Sequence, residues 1–249
     1  MLKYRTYIND ETQKVLSYEV VYKETSLLIR AEKNFKTKIL QNLISLRKPI
    51  ENYINKNPEF LTSLKPIKPK KNAPEIIKKM CSVSQKTGVG PMSAVAGTIA
   101  ELLGYKMLNW IEKENLKKFL VIENGGDIFA YVDEPITIGI YAGENSPFTG
   151  KLSLNINIFN QPLGICTSSG TVGHSLSFGN SDAVIIISNS ASFSDTLATA
   201  TGNLVKIESD IKSAVEFAKS FNETIFVCII KNKTVSFWSK TDKIIINET

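Results

Sequence analysis

The sequence predicts a mixed fold of strands and helices, and three observations predict it. Short apolar runs such as Ala183-Val-Ile-Ile-Ile187 are bounded by polar residues, the length and pattern of buried strands. A longer segment places Phe35, Ile39, Leu43, Leu46, Ile50, Tyr53 and Ile54 at steps of three and four, which is one face of a helix. Glu123-Asn-Gly-Gly-Asp127 and Lys231-Asn-Lys233 then join neighbouring apolar runs as turns.

In chain order, strands are expected over residues 3–8 and 15–31, then a helix over 34–55 that Pro49 bends. A basic Pro/Lys linker follows over about 61–72, and a second helix opens at Asn72-Ala-Pro74, with Asn72 as its cap. Gly88-Val-Gly90 reads as a glycine-rich turn feeding a helix of small residues. Strands are expected over 119–122, 128–132, 136–141, 152–159 and 163–167, the last running into a loop of Ser, Gly and Thr. Strand 184–188, an oxygen-rich helix from about Phe193, a helix over 210–220 and a terminal hairpin complete the chain. Laying Met92–Thr98 on Phe193–Thr199 matches Ser93 with Ser194 and Thr98 with Thr199, a faint sign of two related halves.

Composition excludes several classes of function. At 249 residues with 43% hydrophobic residues, a sizeable core is affordable. No run approaches the roughly 18 apolar residues of a membrane span, and the start lacks a signal peptide's apolar stretch, so a cytoplasmic protein without membrane association is expected. Three cysteines without Cys-x-x-Cys spacing argue against disulfides and structural zinc, and the single histidine excludes a His-cluster metal site. The net charge is +6, but its densest run, Lys65–Lys71, holds two prolines and no aromatic for base stacking, so nucleic acid is not an expected partner. A small-molecule ligand is expected, and a homo-oligomer is compatible with the sequence.

Four groups of residues could carry chemistry. Asp195 and Thr199, four apart on a helix, put a carboxylate and a hydroxyl on one face, a hard-oxygen pair suited to magnesium. The competing use of these oxygens is structural, with Ser194 or Asp195 as an N-cap and the threonines bonded back to the backbone, and spacing alone favours it. The loop from Cys166 through Gly173 offers hydroxyls and glycine-freed amides of the kind that hold anions. Gly88 and Gly90 before a helix could do the same. His174 is a candidate general base and Cys166 a candidate sulfur nucleophile.

Taken together, Gly-Val-Gly-Pro-Met-Ser-Ala-Val-Ala-Gly-Thr-Ile-Ala-Glu-Leu-Leu (88–103), Asn-Gly-Gly-Asp-Ile (124–128), Thr-Ser-Ser-Gly (167–170) and Ser-Asp-Thr-Leu-Ala-Thr-Ala (194–200) come in the order seen in ApbE-like proteins, the FAD:protein FMN transferases. The chain resembles most closely an uncharacterised archaeal and bacterial branch of that superfamily. The motif-bearing part spans about residues 85–205, within one ApbE-like domain covering 1–249. The resemblance implies an α+β fold of T-fold type: an antiparallel sheet with helices on one face, built from tandem related halves. It also implies magnesium held by Asp195 and Thr199, and a cleft for FAD or another flavin nucleotide lined by Asn124, Gly125, Gly126, Asp127, Thr167, Ser168, Ser169 and Gly170.

Two departures bear on activity. The transferases' Lys-Gly-x-x-x-Asp falls on Met92–Gly97, so its lysine and aspartate are missing, and their His-x-Ile-x-Asp-Pro-x-Thr-Gly segment has no counterpart. The sequence-based expectation is therefore a phosphate-bearing ligand bound with magnesium, with magnesium-dependent transferase activity left open. The rival follows from the association of the archaeal branch with homocysteine formation: a sulfur-assimilation protein, with Cys166 as carrier or the whole chain as an accessory factor.

Overall fold

The computed structural model describes residues 15–170 and 179–248; the expected strand over 3–8 and His174 lie outside them. Among the described residues, eleven strands form two sheets. The larger joins β1 (Leu16–Tyr22), β2 (Thr25–Ala31), β3 (Leu120–Asn124), β4 (Asp127–Tyr131), β7 (Leu163–Ser168), β8 (Ala183–Ser188), β9 (Thr224–Lys231) and β10 (Thr234–Ser239) in that spatial order. Every neighbouring pair is antiparallel. The smaller joins β11 (Ile244–Glu248), β6 (Leu152–Ile156) and β5 (Ile136–Gly139), also antiparallel.

Side chains alternate across the larger sheet and so feed two cores. Leu120, Ile122, Phe129, Cys166, Val184, Ile186, Val227 and Ile229 face the helices. Val121, Ile128, Ala130, Ile165, Ile185, Ile187, Phe226 and Cys228 face the small sheet, against Ile138, Leu154 and Ile156. The fold is α+β with its helices on one face of the main sheet, as expected, and the small sheet covers the other.

The helices are α1 (Lys36–Lys56), α2 (Glu59–Thr62), α3 (Glu75–Thr87), α4 (Val95–Lys113), α5 (Ala191–Leu204) and α6 (Ile211–Lys219). The tandem halves are visible in the topology. Strands β1 and β2, helices α1 to α4, then β3 and β4 make one; β7 and β8, α5 and α6, then β9 and β10 make the other. They meet where β4 pairs with β7, Phe129 opposite Gly164, and where α4 packs on α5.

Several local expectations are corrected. Residues 15–31 are a hairpin, β1 and β2, turned at Lys23, whose backbone is left-handed at φ 52°. Helix α3 is preceded by Pro74, and no side chain caps it, so Asn72 stands outside. Thr167 and Ser168 belong to β7, because their backbone pairs with Ile185 and Val184, and the loop begins only after them. The N-cap of α5 is Ser190, whose hydroxyl accepts from the Phe193 amide at 3.3 Å, and neither Ser194 nor Asp195 caps. No helix among the described residues is long and apolar enough to cross a membrane.

Candidate functional site

Helix α5 is buried from Ala191 through Gly202, which apolar residues alone would explain if the helix did not carry so many oxygens. Most of those oxygens have structural partners. The Ser194 hydroxyl donates to the Gly164 carbonyl (2.9 Å) and meets the Ser188 hydroxyl (2.8 Å), while Thr196 bonds back to Phe193 (3.0 Å). Ser190 and Ser192 turn to Glu101 on α4, whose Oε2 accepts from the Ser190 hydroxyl, the Ser192 amide and the Ser192 hydroxyl, each at 2.8 Å. Its other oxygen pairs with Lys79 at 2.8 Å. Burial pushes the Glu101 carboxyl up, but the Lys79 ammonium and the Ser192 amide outweigh it and hold it below the usual range. A carboxylate at a helix N-terminus also opposes the helix dipole.

Asp195 is different. It lies one turn beyond Ala191, is 9% exposed, and accepts one hydrogen bond, from the Gly97 amide of α4 at 2.8 Å. Gly97 makes that approach feasible: a β-carbon there would stand 2.3 Å from the Ala191 carbonyl oxygen and 2.8 Å from the Asp195 β-carbon.

The β3–β4 hairpin brings a second carboxylate to the same place. Its two-residue turn needs left-handed backbone, which Gly125 and Gly126 supply at φ 66° and 105°. The Asn124 amide donates to the Ala96 carbonyl at 3.1 Å, fixing the hairpin tip under the start of α4. Asp127, 8% exposed, begins β4 on the helix-facing side with Phe129. Continuing the β4–β7 register from Ile128 opposite Ile165 sets Asp127 opposite Cys166. The Cys166 thiol donates to the Ala191 carbonyl (3.3 Å), so α5 passes directly over this strand pair.

Among the described residues, no cation is paired with either acid. Burial pushes Asp127 up to about 7, with the Cys166 thiol and the Thr167 amide pulling it back and the Glu123 charge adding to the rise. Asp195 is pushed well above its usual range by burial and then by Asp127, against the Gly97 amide. One Asp127 oxygen, Oδ1, is buried without a hydrogen-bond partner among the described residues. Cys166 is fully buried and its thiol is pushed well up, first by burial and then by both aspartates. Both features disfavour thiolate chemistry at Cys166, since a reactive thiol needs exposure and a depressed pKa.

The structure therefore brings together Asn124, Gly125, Gly126, Asp127, Cys166, Thr167 and Asp195, with Thr199 one turn further along α5. Ser168 lies further along, its hydroxyl 3.8 Å from where a Gly202 β-carbon would be and unpartnered among the described residues. Ser169 follows it, and Gly170 packs against the backbone of Gly179. Gly88 ends α3 at φ 80°, and Gly90 faces the Ser63 carbonyl, so both glycines of that turn have an architectural use. Glu101 and Gly97 were not foreseen. An isolated glutamate among the apolar and small residues of Val95–Leu103 was the available signal for the first; a glycine inside a helix of small residues, which lets another backbone come close, was the signal for the second.

Comparison with known proteins agrees with this fold. The family model described as AbpE bacteria matches residues 5–222. A UPF0280 protein of Methanococcus vannielii is 44% identical over 193 residues, 76% of either chain. One of Methanocella arvoryzae is 38% identical over 226 residues, covering 90% of this chain and 89% of that one. Among solved structures, the apo flavinyl transferase ApbE of Pseudomonas stutzeri superposes with a TM-score of 0.56 at 12% identity, covering 93% of this chain and 96% of its own. The ApbE protein of Thermotoga maritima gives 0.59 at 12% identity, covering 89% and 96%. At such identity these two show the shared fold.

Proposed function

The chain belongs to the AbpE bacteria family and to the UPF0280 proteins, and from that premise we propose that it binds a phosphate-bearing small molecule, a flavin nucleotide first among them, together with a magnesium ion held by Asp195 and Thr199. The observation that carries the reading is the buried Asp195 carboxylate, which among the described residues meets one amide and no cationic side chain. A buried carboxylate without a counter-charge costs several kcal/mol unless it is protonated or bound to a metal. With Thr199 one turn away, the donors are oxygens, the set magnesium prefers, and the nearby Asp127 oxygen, unpartnered among the described residues, fits the same chemistry.

Bound there, magnesium would neutralise phosphate oxygens and fix their position. The chain's own groups would do the rest: the Gly97 amide orients Asp195, and the hairpin tip at Asn124–Asp127 closes one side. Flavin enters this reading from the structurally similar flavinyl transferase. Transfer is left out of it, because the positions of the transferases' lysine and aspartate hold Met92 and Gly97, neither of which can activate a nucleophile.

Isothermal titration of FAD with and without magnesium tests the proposal. The native protein is expected to bind only with magnesium, Asp195→Ala to lose that dependence together with the binding, and Thr199→Ser to bind nearly as well because a hydroxyl remains. Normal magnesium-dependent binding by a folded Asp195→Ala protein would sink the metal assignment. Magnesium binding without any response to FAD would remove the flavin and leave the ion.

A further inference from the structure

We propose that Asp127 is the second anionic ligand of this site, so that the cation is gripped by carboxylates from both halves of the fold, one from the β3–β4 hairpin and one from α5; the inference rests on the assignment of Asp195 and Thr199 as cation ligands. Three observations support it. Asp127 stands on the helix-facing side of the sheet, opposite Cys166, and the Cys166 thiol is hydrogen-bonded to the Ala191 carbonyl, one turn before Asp195. The Asp127 oxygen Oδ1 is buried with no hydrogen-bond partner among the described residues. Finally, no ion pair joins either carboxylate to a cation among the described residues.

Two carboxylates buried side by side cannot both ionise in that setting without a compensating charge. A divalent ion supplies it in one step and also takes up the orphaned oxygen. The rest of its coordination would be left to Thr199, water and ligand oxygens, in keeping with the one or two carboxylates magnesium commonly takes from a protein. Structural use alone does not explain Asp127 so well, because an asparagine would fill the same space, keep a bond from Thr167 and carry no charge.

The test uses manganese, a paramagnetic stand-in for magnesium, titrated alone into the full-length protein, with free ion followed by electron paramagnetic resonance. Asp127→Asn preserves size and removes the charge, and melts in a chelator establish that it is folded. One tight site is expected in the native protein, and affinity weaker by roughly tenfold or more in folded Asp127→Asn. Equal or tighter binding by that variant overturns the role of Asp127, and if Asp195→Ala still loses the ion, the metal site itself stands. If neither substitution changes the affinity, or the native protein binds no manganese, both assignments fall. Should the asparagine variant not fold, Asp127→Ser, smaller and also neutral, takes its place with the same two outcomes.

Discussion

The behaviour of single acids in this fold is set by what they can pair with. Glu101 keeps its charge because Lys79 and three donors face it, whereas Asp127, with a thiol, one amide and another acid around it, is pushed up to about 7. The unfolded chain titrates this aspartate near 4. Its advantage to the folded state is thus fully present below about pH 4 and is lost as pH rises through about 7. Glu101 has the opposite sign, its contribution being lost as pH falls through the ordinary carboxylate range. Urea unfolding of chelator-treated protein between pH 5 and 7.5 is therefore expected to show stability falling as pH rises, by up to a few kcal/mol. Asp127→Asn is expected to flatten that slope, with Asp195 keeping a remainder; an unchanged slope would mean that Asp127 is solvated. None of this coupling could be read in sequence, where Asp127, Cys166 and Asp195 stand far apart. The motif resemblance pointed to Asp127 and Asp195, and Cys166 stood out only beside its loop, but the register of β4 on β7 is what makes Asp127 and Cys166 neighbours.

Secondary structure elements were legible wherever a period or a turn residue announced them. Helix α1 buries Ile39, Leu43, Leu46, Ile50 and Tyr53, the face its spacing implies, and Gly125-Gly126 makes the hairpin its composition implies. The β1–β2 turn was missed because Lys23-Glu24 carries no turn signature, and β11 because pairing with β6 is a long-range choice that no local pattern encodes. The start of α5 was misjudged for a related reason. Its first turn, Ala-Ser-Phe, looks like a lead-in until Glu101 is seen gathering the Ser190 and Ser192 donors around it. Glu101→Ala should consequently cost about 3 kcal/mol, the range for breaking a buried charge pair, since it strands these donors and leaves Lys79 without its acid. Glu101→Gln, which keeps one accepting oxygen, should cost less. Denaturant midpoints for the two variants check this, and equal small losses would show that Ser190 alone holds the helix end.

At the scale of the whole molecule, the two halves are joined by the short β4–β7 ladder and by the packing of α4 on α5, and the candidate site draws its groups from both sides of that seam. The sequence carried only a trace of this duplication, the matched Ser93/Ser194 and Thr98/Thr199, because residue identity fades while the packing it serves persists. The halves approach closely at Gly97, where any β-carbon would collide with the Ala191 backbone rather than with a side chain that could swing away. Gly97→Val should force α4 off α5, carrying the Gly97 amide away from Asp195 and disturbing the hairpin tip held by Ala96. The expected result is a stability loss of roughly 3 kcal/mol, at the upper end for overpacking, together with loss of divalent-ion binding. Gly150→Ala, in the β5–β6 connection outside the candidate site, is the control. It meets open space, strains only a left-handed turn, and should cost about 1 kcal/mol while leaving the ion in place. Thermal melts of both variants with and without manganese separate the two cases. If Gly97→Val still gains stability from manganese as the native protein does, the ion does not sit at the seam between the halves.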